Sequence, residues 1–456
     1  MEKDLKNDVG FFGALSIVVG TVIGAGVFFK IAAMVAVTQS ASLTLLAWVV
    51  GGILTICAGL SIAELAAAIP ETGGAVKYLE RSYGKLVGFL FGWVQVLIYN
   101  PGNMAALGII FATQVLNLLG LPNSLLLPIA IASILTIMSI NLLGSRFTSR
   151  FQQLTSILKL IPIFLIIIFG LTTNSQVDVQ LFPIQAGQNI GFFAGLGGAL
   201  VASLFAFDGW MNVGNIAGEM KNPQKHLSKV ITIGLLVISF IYIAISLGFL
   251  KVLPLDQIAG NANTASDAAQ KLFGVNGGKL VTIGILVSVY GTLNGYTMTA
   301  IRVPYALALE NSLPFSKHLS KLNKNAIPFV STALVGSLAC IFMAAGSFDI
   351  LTNLVIFVMW FFSFLLILAV FILRKKEPNL HRPYKVVLYP VLPVIGMLGA
   401  LFIMWTTITQ QPVLAMIGIA ITLAGIPVFY YQTKMKRSSD SVAAVVKVKS
   451  KLRRIL

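Results

Sequence analysis

Charge is scarce in this sequence. Only 10% of its 456 residues are Asp, Glu, Lys or Arg, and the acidic ones number 15. Histidine occurs three times, at His226, His318 and His381, and cysteine twice, at Cys57 and Cys340. No His/Cys/Asp cluster and no nucleophile with a neighbouring base can be assembled from them. That argues against an enzyme, a metal site or a cofactor. Both cysteines lie in apolar runs, so no disulfide framework is indicated. No cleavable leader is expected either, because the first apolar segment is too long and lacks a small-residue cleavage site. Filter loops and rings of charge, the marks of a channel, are not visible.

Hydrocarbon fills the place that charge leaves. The chain is 57% hydrophobic with a mean hydropathy of +0.91, which describes an all-α membrane protein rather than any soluble domain. Apolar segments long enough to span a bilayer, about 20 residues each, recur at 11–37, 42–69, 86–116, 124–143, 151–172 and 189–217. Six more follow at 228–250, 279–309, 327–346, 348–373, 387–409 and 412–433. The expectation is twelve transmembrane helices with both termini on one side.

The basic residues orient them. Of 32 Lys and Arg, 26 fall on the side of the termini, and three, Lys251, Lys271 and Lys279, on the other. Lys30, Lys159 and Arg302 lie within or at the edges of spans. Positive charge collects on cytoplasmic loops, so both termini are expected inside the cell. Topology thereby accounts for the formal charge of +17, and no nucleic-acid partner is needed to explain it. For the basic stretch 441–456, two readings stand: an amphipathic element on anionic lipid, or a solvated tail.

The first segment carries Gly20-Thr21-Val22-Ile23-Gly24-Ala25-Gly26-Val27-Phe28, with two glycines flanking one alanine at bilayer depth. Glycine is a poor helix residue that tolerates conformations closed to others. A helix broken here would aim free N–H groups and the positive end of a half-helix at whatever fills the gap, and a carboxylate suits that position. Close helix packing through small residues is the competing reading. The sixth segment repeats the feature with Phe205-Ala206-Phe207-Asp208-Gly209-Trp210, then Asn212 and Gly214. Interrupted helices in matching positions of two halves point to a transporter site at the midplane. Five spans per half is an odd number, so the second half would be inverted relative to the first.

Residues 20–28 resemble the first-helix signature of the amino acid–polyamine–organocation (APC) superfamily of transporters. Glu64-Leu65-Ala66-Ala67-Ala68-Ile69-Pro70, with Gly73-Gly74 and Tyr78, resembles the signature at the end of its second helix. Residues 205–210 are similar to its sixth-helix motif. Arg302, Ala308, Glu310 and Leu313-Pro314 match the usual end of its eighth. Within the superfamily the chain looks most like the L-type amino acid transporters and bacterial relatives of the alanine–serine–cysteine exchanger kind. The resemblance implies a leucine-transporter-type fold with a 5+5 inverted repeat plus two peripheral helices. Its expected divisions are a cytoplasmic tail 1–10, a first repeat 11–172, a second repeat 189–373, helices 11 and 12 over 387–433, and a basic cytoplasmic tail 434–456. Two departures stand out. Asp208 occupies a place where the family often has the first of two glycines, and the loop 117–124 lacks the cysteine that joins animal L-type members to an ancillary glycoprotein. No disulfide-linked partner is therefore expected, and the inner (plasma) membrane of a prokaryotic cell is the expected home.

The two interruptions can answer both ends of a zwitterionic amino acid. Amides of Gly24, Ala25 and Gly26 would hold its carboxylate. Carbonyls at Val22, Ile23, Phe205 and Ala206, together with Asp208, would take its ammonium. Resemblance makes Phe205 and Trp210 a gate or wall, with lipid or helix packing as the alternative. Lys159 lies mid-span, where an ammonium costs at least about 2.5–3.5 kcal/mol unless it faces a cavity and a partner. By resemblance it stands in for a cation site, bridging residues 20–23 to Ser288 or Thr292, which implies sodium-independent transport. Resemblance also places Tyr242 near that region. Asp208 has two readings, contact with substrate or capping of a half-helix. Asn100-Pro101 and Asn294-Gly295 add kinks or pathway-facing points. Glu64, Arg302 and Glu310 stand at cytoplasmic helix ends, as an inner gate or as ordinary interfacial charges.

The expected function is exchange of small neutral L-amino acids (alanine, serine, cysteine) by alternating access, without sodium. Two rivals remain. One is a proton-coupled importer titrating Lys159, with a broad or cationic range; the other is an amino-acid sensor that does not transport.

Overall fold

The computed structural model describes residues 10–69, 71, 73–174, 177–209 and 223–452. Trp210, Asn212 and Gly214 lie outside them. Among the described residues there are helices and no strands. The first apolar segment forms two helices, α1 (Phe11–Val22) and α2 (Gly26–Thr38). Helix α3 (Ala41–Ala68) is followed by the short α4 (Ala75–Tyr83). Helices α5 (Lys85–Val94) and α6 (Asn100–Leu119) are joined by a π-helical turn, Gln95–Tyr99. Next come α7 (Leu126–Leu142), α8 (Ser145–Leu158), α9 (Leu160–Thr172) and α10 (Phe192–Ala206). After residue 222 the chain continues through α11 (Pro223–Val252), α12 (Leu255–Ile258), α13 (Thr264–Ala300), α14 (Arg302–Leu309) and α15 (Ser316–Leu319). It ends with α16 (Phe329–Ala345), α17 (Phe348–Lys376), α18 (Val391–Gln410) and α19 (Pro412–Leu452).

Nine of the described helical stretches are long and apolar enough to cross a membrane, and α1, α2, α10 and α16 are shorter apolar helices. The chain is an integral membrane protein. Three of those four short helices belong to the two segments that glycine interrupts, which is why neither segment makes a continuous span. The last helix runs on to Leu452, so the backbone of the basic C-terminal stretch prolongs α19.

Local chemistry sets the breaks. Pro101 cannot donate a backbone hydrogen bond and its ring crowds the preceding turn. The helix widens there into the π turn, and the Asn100 side-chain amide donates to the Gln95 carbonyl at 2.8 Å. Gly274 turns α13 with φ +72, separating an extramembrane lead-in from the span expected to begin at 279. Between α2 and α3, Gln39 takes a left-handed φ of 45, and the Ser40 hydroxyl accepts from the Leu43 amide as an N-cap.

Helices α2 and α10, one from each interrupted segment, pack along one another at the centre. Helix α11 lies against α1, α3 and α9, while α13 packs on α6, α7 and α8. Helices α18 and α19 pack on the outside, against α17 and each other.

At one rim the structure ties three elements to a single carboxylate. Glu64 is 1% exposed. Arg374 of α17 donates to both its oxygens, at 2.8 and 2.6 Å, and Arg382 lies 3.4 Å away. The Val386 amide donates to it at 2.7 Å. Glu64 is thus a fixed structural tie. Glu310 pairs at the surface with Lys77 (3.1 Å), and Arg302 stands in the wall of a cavity. Nearby, outside the spans, the Arg81 guanidinium hydrogen-bonds Glu377 and holds its carboxyl below the usual carboxylate range.

Replacing Glu64 with Ala leaves the Arg374 guanidinium and the Val386 amide without their acceptor. The expected loss is roughly 3–5 kcal/mol, the scale of breaking a buried ion pair, read as a lowered melting temperature in detergent. Glu310→Ala, at an exposed pair, should shift it little.

Candidate functional site

The glycines of the first segment break the helix as their conformational freedom suggests. Helix α1 stops at Val22, Ile23 is extended (φ −67, ψ 103), and α2 begins at Gly26. The first amides of any helix lack intrahelical acceptors. Among the described residues, Gly24, Ala25 and Gly26 donate to no backbone carbonyl. Helix α10 likewise stops at Ala206, and Gly209 turns the chain with φ +100.

The two breaks meet. A Cβ on Gly26 would lie 2.6 Å from the Ala206 Cα, closer than atoms can approach, and one on Gly24 would lie 3.2 Å from the Thr292 methyl. Small residues here therefore do two jobs: they interrupt α1–α2, and they let its second half touch the end of α10.

Tyr242 joins the two carbonyl ends. Its hydroxyl lies 2.7 Å from the Ala206 carbonyl and 3.1 Å from that of Val22. It is fully buried, with Trp48 and Phe207 rings each 5.1 Å away. Sequence placed Tyr242 near Lys159; the structure makes it the link between both half-helices. This corrects one expectation, because the Val22 and Ala206 carbonyls are not open. The Phe205 carbonyl also has a donor, the Asp208 amide at 3.1 Å.

Lys159 lies at the α8–α9 junction, 4% exposed, and donates to the Gly20 carbonyl at 2.6 Å. The expected contact with the first helix is made. The second half of the bridge is not: the Thr292 hydroxyl turns back to the Ser288 carbonyl (2.9 Å), and the buried Ser288 hydroxyl has no partner among the described residues. Lys159 and Thr292 instead share the wall of a cavity of 930 Å³ with Gly20, Gly209, Tyr296 and Arg302.

Asp208 is buried, and its Oδ2 accepts from two tyrosine hydroxyls, Tyr99 and Tyr296, each at 2.7 Å. Tyr99 comes from the π turn and Tyr296 from α13. Neither was singled out from the sequence, since a tyrosine in an apolar helix has no distinctive spacing. Asn294, expected to bend α13 or face a pathway, is a buried knot. Asn141 donates to it and it donates to Gln152, each at 3.0 Å.

Beyond the break, on the α2 side, aromatic rings and a buried ammonium pack together. The Phe205 ring packs edge-on against Phe348 at 5.6 Å. Lys30, fully buried, lies over both rings and bonds Asp349 (2.7 Å) and Thr352 (2.6 Å) of α17. The sequence reading counted Lys30 only as a charge, yet the rule that drew attention to Lys159, an ammonium inside an apolar run, applies to it equally.

A family model described as "Amino acid permease" matches residues 9–445. The chain is 40% identical to the serine/threonine exchanger SteT of Bacillus subtilis (strain 168), over 96% of this chain and 99% of that one. It is 30% identical to the large neutral amino acids transporter small subunit 2 of Mus musculus, covering 98% and 86%, and 27% identical to the cystine/glutamate transporter of Homo sapiens, covering 93% and 85%.

The packing at the breaks predicts a contrast between two glycines of one helix pair. Gly26→Ala drives a methyl into the α10 backbone and should destabilise by about 1–3 kcal/mol, as overpacking does. Gly20→Ala meets nothing within 4 Å and should leave stability unchanged or raise it by up to about 1 kcal/mol through helix propensity. Melting temperatures of the two variants in detergent check it.

Proposed function

We propose, for a chain that belongs to the amino acid permease family, that it exchanges small neutral L-amino acids of the alanine, serine and cysteine type across the cell membrane without sodium. The observation that carries this reading is the meeting of two helix breaks at Gly26 and Ala206, with an ammonium, Lys159, on the Gly20 carbonyl beside them. The positive end of α2 and the amides of Gly24, Ala25 and Gly26 suit a carboxylate. The carbonyls of Val22, Ile23, Phe205 and Ala206 suit an ammonium. Each carbonyl has two lone pairs, so Val22 and Ala206 can accept from a substrate while Tyr242 keeps its hold.

Lys159 takes the place a bound cation would have. Its three donors sit against a helix-end carbonyl, which removes the need for sodium. The 930 Å³ cavity on the α1 side and the Phe205–Phe348–Lys30 closure on the α2 side describe one stage of alternating access. The excess of Lys and Arg on one face of the sequence-based topology supports an orientation with the open side and both termini toward the cytoplasm. We read the bundle as twelve spans, two inverted groups of five (11–172 and 189–373) plus two peripheral helices. The loop 117–124 carries no cysteine, and we assign no disulfide-linked subunit. The name of one similar protein, a serine/threonine exchanger, supports small neutral substrates, and that of another, a large neutral amino acids transporter subunit, supports neutral amino acids as a class. Trp210 is proposed as part of the gate from its sequence motif alone.

The test is uptake of labelled alanine into proteoliposomes, with internal alanine, sodium and pH varied independently. Uptake should need internal amino acid and ignore sodium. Lys159→Ala should cut the rate by roughly 10–100-fold, the scale of one charged hydrogen bond. Sodium dependence overturns the reading. Accumulation driven only by an inward proton gradient supports the proton-coupled importer, and binding without uptake supports the sensor.

A further inference from the structure

A second cavity, of 500 Å³, lies away from the helix breaks, where α4, α5, α14 and α19 meet. The exchange reading gives it no part. Two lysines and two glutamates stand in its wall, Lys77, Lys85, Glu80 and Glu310, together with the rings of Phe89 and Phe429. We propose that this is a lipid site. It takes one phospholipid whose headgroup carries a primary ammonium beside its phosphate, and it discriminates against headgroups that lack the ammonium.

Depth points to a lipid. Three apolar stretches long enough to cross a membrane reach their ends beside the cavity. One begins at Lys85, another ends at Leu309 just before Glu310, and the third ends at Met435, two residues past the wall residue Thr433. Tyr430 and Tyr431 of α19 are each 61% exposed, and exposed tyrosines at the end of a spanning helix mark the headgroup level. The volume lies within the range of ligand pockets, about 300–1,000 Å³.

Charge selects the headgroup. The two ammonium groups and two carboxylates in the wall sum to zero, so a ligand with one charge of each sign is matched. A net anion meets two carboxylates as well as the lysines. Lys77 bonds Glu80 at 3.0 Å and Glu310 at 3.1 Å, whereas Lys85 has no ion pair among the described residues. Lys85 is therefore the group for the phosphate, and Glu80 and Glu310 are those for the ammonium. A primary ammonium brings three N–H donors to them. A quaternary ammonium has none, and a glycerol headgroup has no cation.

The walls are held in place without a ligand. Gly84 turns the chain between α4 and α5 with φ +97. A Cβ on Gly88 would stand 2.9 Å from the Val76 carbonyl oxygen, so glycine lets α5 lie close enough to α4 to put Lys77, Glu80 and Lys85 around one cavity. The Phe89 and Phe429 rings stand 5.4 Å apart, and the Trp93 indole donates to the Ile421 carbonyl at 2.9 Å, joining α5 to α19. That ring pair suits the glycerol and first methylenes of a lipid whose headgroup reaches the charges.

The test uses the full chain, purified in detergent and stripped of lipid. It is titrated with phosphatidylethanolamine, phosphatidylcholine and phosphatidylglycerol of identical acyl chains, and native mass spectrometry counts the lipid retained. One phosphatidylethanolamine should be held at roughly tenfold lower concentration than either of the others, the scale of one hydrogen bond to a charged group. Lys85→Ala should weaken all three lipids alike, because all carry the phosphate. Glu80→Gln with Glu310→Gln should turn the preference toward phosphatidylglycerol, since two positive charges then face the headgroup alone. If that pair does not fold, Glu310→Gln by itself, at an exposed residue, should bring phosphatidylethanolamine and phosphatidylcholine to within about threefold. Equal retention of the three lipids by the wild type overturns the proposal. So does a preference for phosphatidylethanolamine that the variants leave unchanged, which places the lipid elsewhere. O-phosphoethanolamine, the headgroup without its chains, tests the source: binding as tight as the lipid's marks a soluble ligand and overturns the lipid site. The readout is binding alone, so failure of alanine exchange leaves this result untouched, and failure here leaves exchange untouched.

Discussion

A peptide group released from a helix inside hydrocarbon must find another partner or destabilise the fold by several kcal/mol. That constraint governs the centre of this protein. Two helices come apart, and the groups they free are divided by sign. The carbonyl ends at Val22 and Ala206 are gathered by one buried hydroxyl, Tyr242, while the amides of Gly24–Gly26 donate to no backbone carbonyl among the described residues. A single aromatic side chain thus holds both carbonyl ends in fixed relation to each other and to the amides. The Trp48 and Phe207 rings around it keep that hydroxyl in place.

Three buried charges stand around this centre, and each is handled differently. Lys159 uses a backbone carbonyl, and among the described residues no carboxylate lies at bonding distance from it. Lys30 has Asp349, Thr352 and two aromatic faces, an arrangement suited to holding α2 and α10 against α17. Asp208 is bounded by phenols, which donate without adding charge. The result is a polar interior in which net charge is low but donors and acceptors are strongly oriented.

Glycine patterning, the run of apolar segments and the distribution of Lys and Arg were legible from composition and position. Each follows from a local property: chain length against bilayer thickness, or the absence of a Cβ. Lys159 was legible for the same reason, because a charge in an apolar run is conspicuous anywhere. Its partner was half legible. The Gly20 contact followed from the family resemblance, but the Ser288–Thr292 side is not made, since a hydroxyl on a helix can satisfy itself on its own preceding turn. Asp208 was visible as an oddity, whereas its tyrosines were not, because they come from α13 and from a π turn whose extra residue shifts which face Tyr99 occupies.

The sequence by itself determined that the chain spans a membrane, where its helices break and which ionisable residues lie inside. These are properties of segments one bilayer long, and the solvent decides them. Only the tertiary structure decided that Gly26 is needed for contact as well as for flexibility, that one tyrosine serves both breaks, and that Glu64 is a tie across three elements. Those pairings join residues up to 322 positions apart, and helix packing sets such distances through the shape of every side chain between them, which no local pattern records.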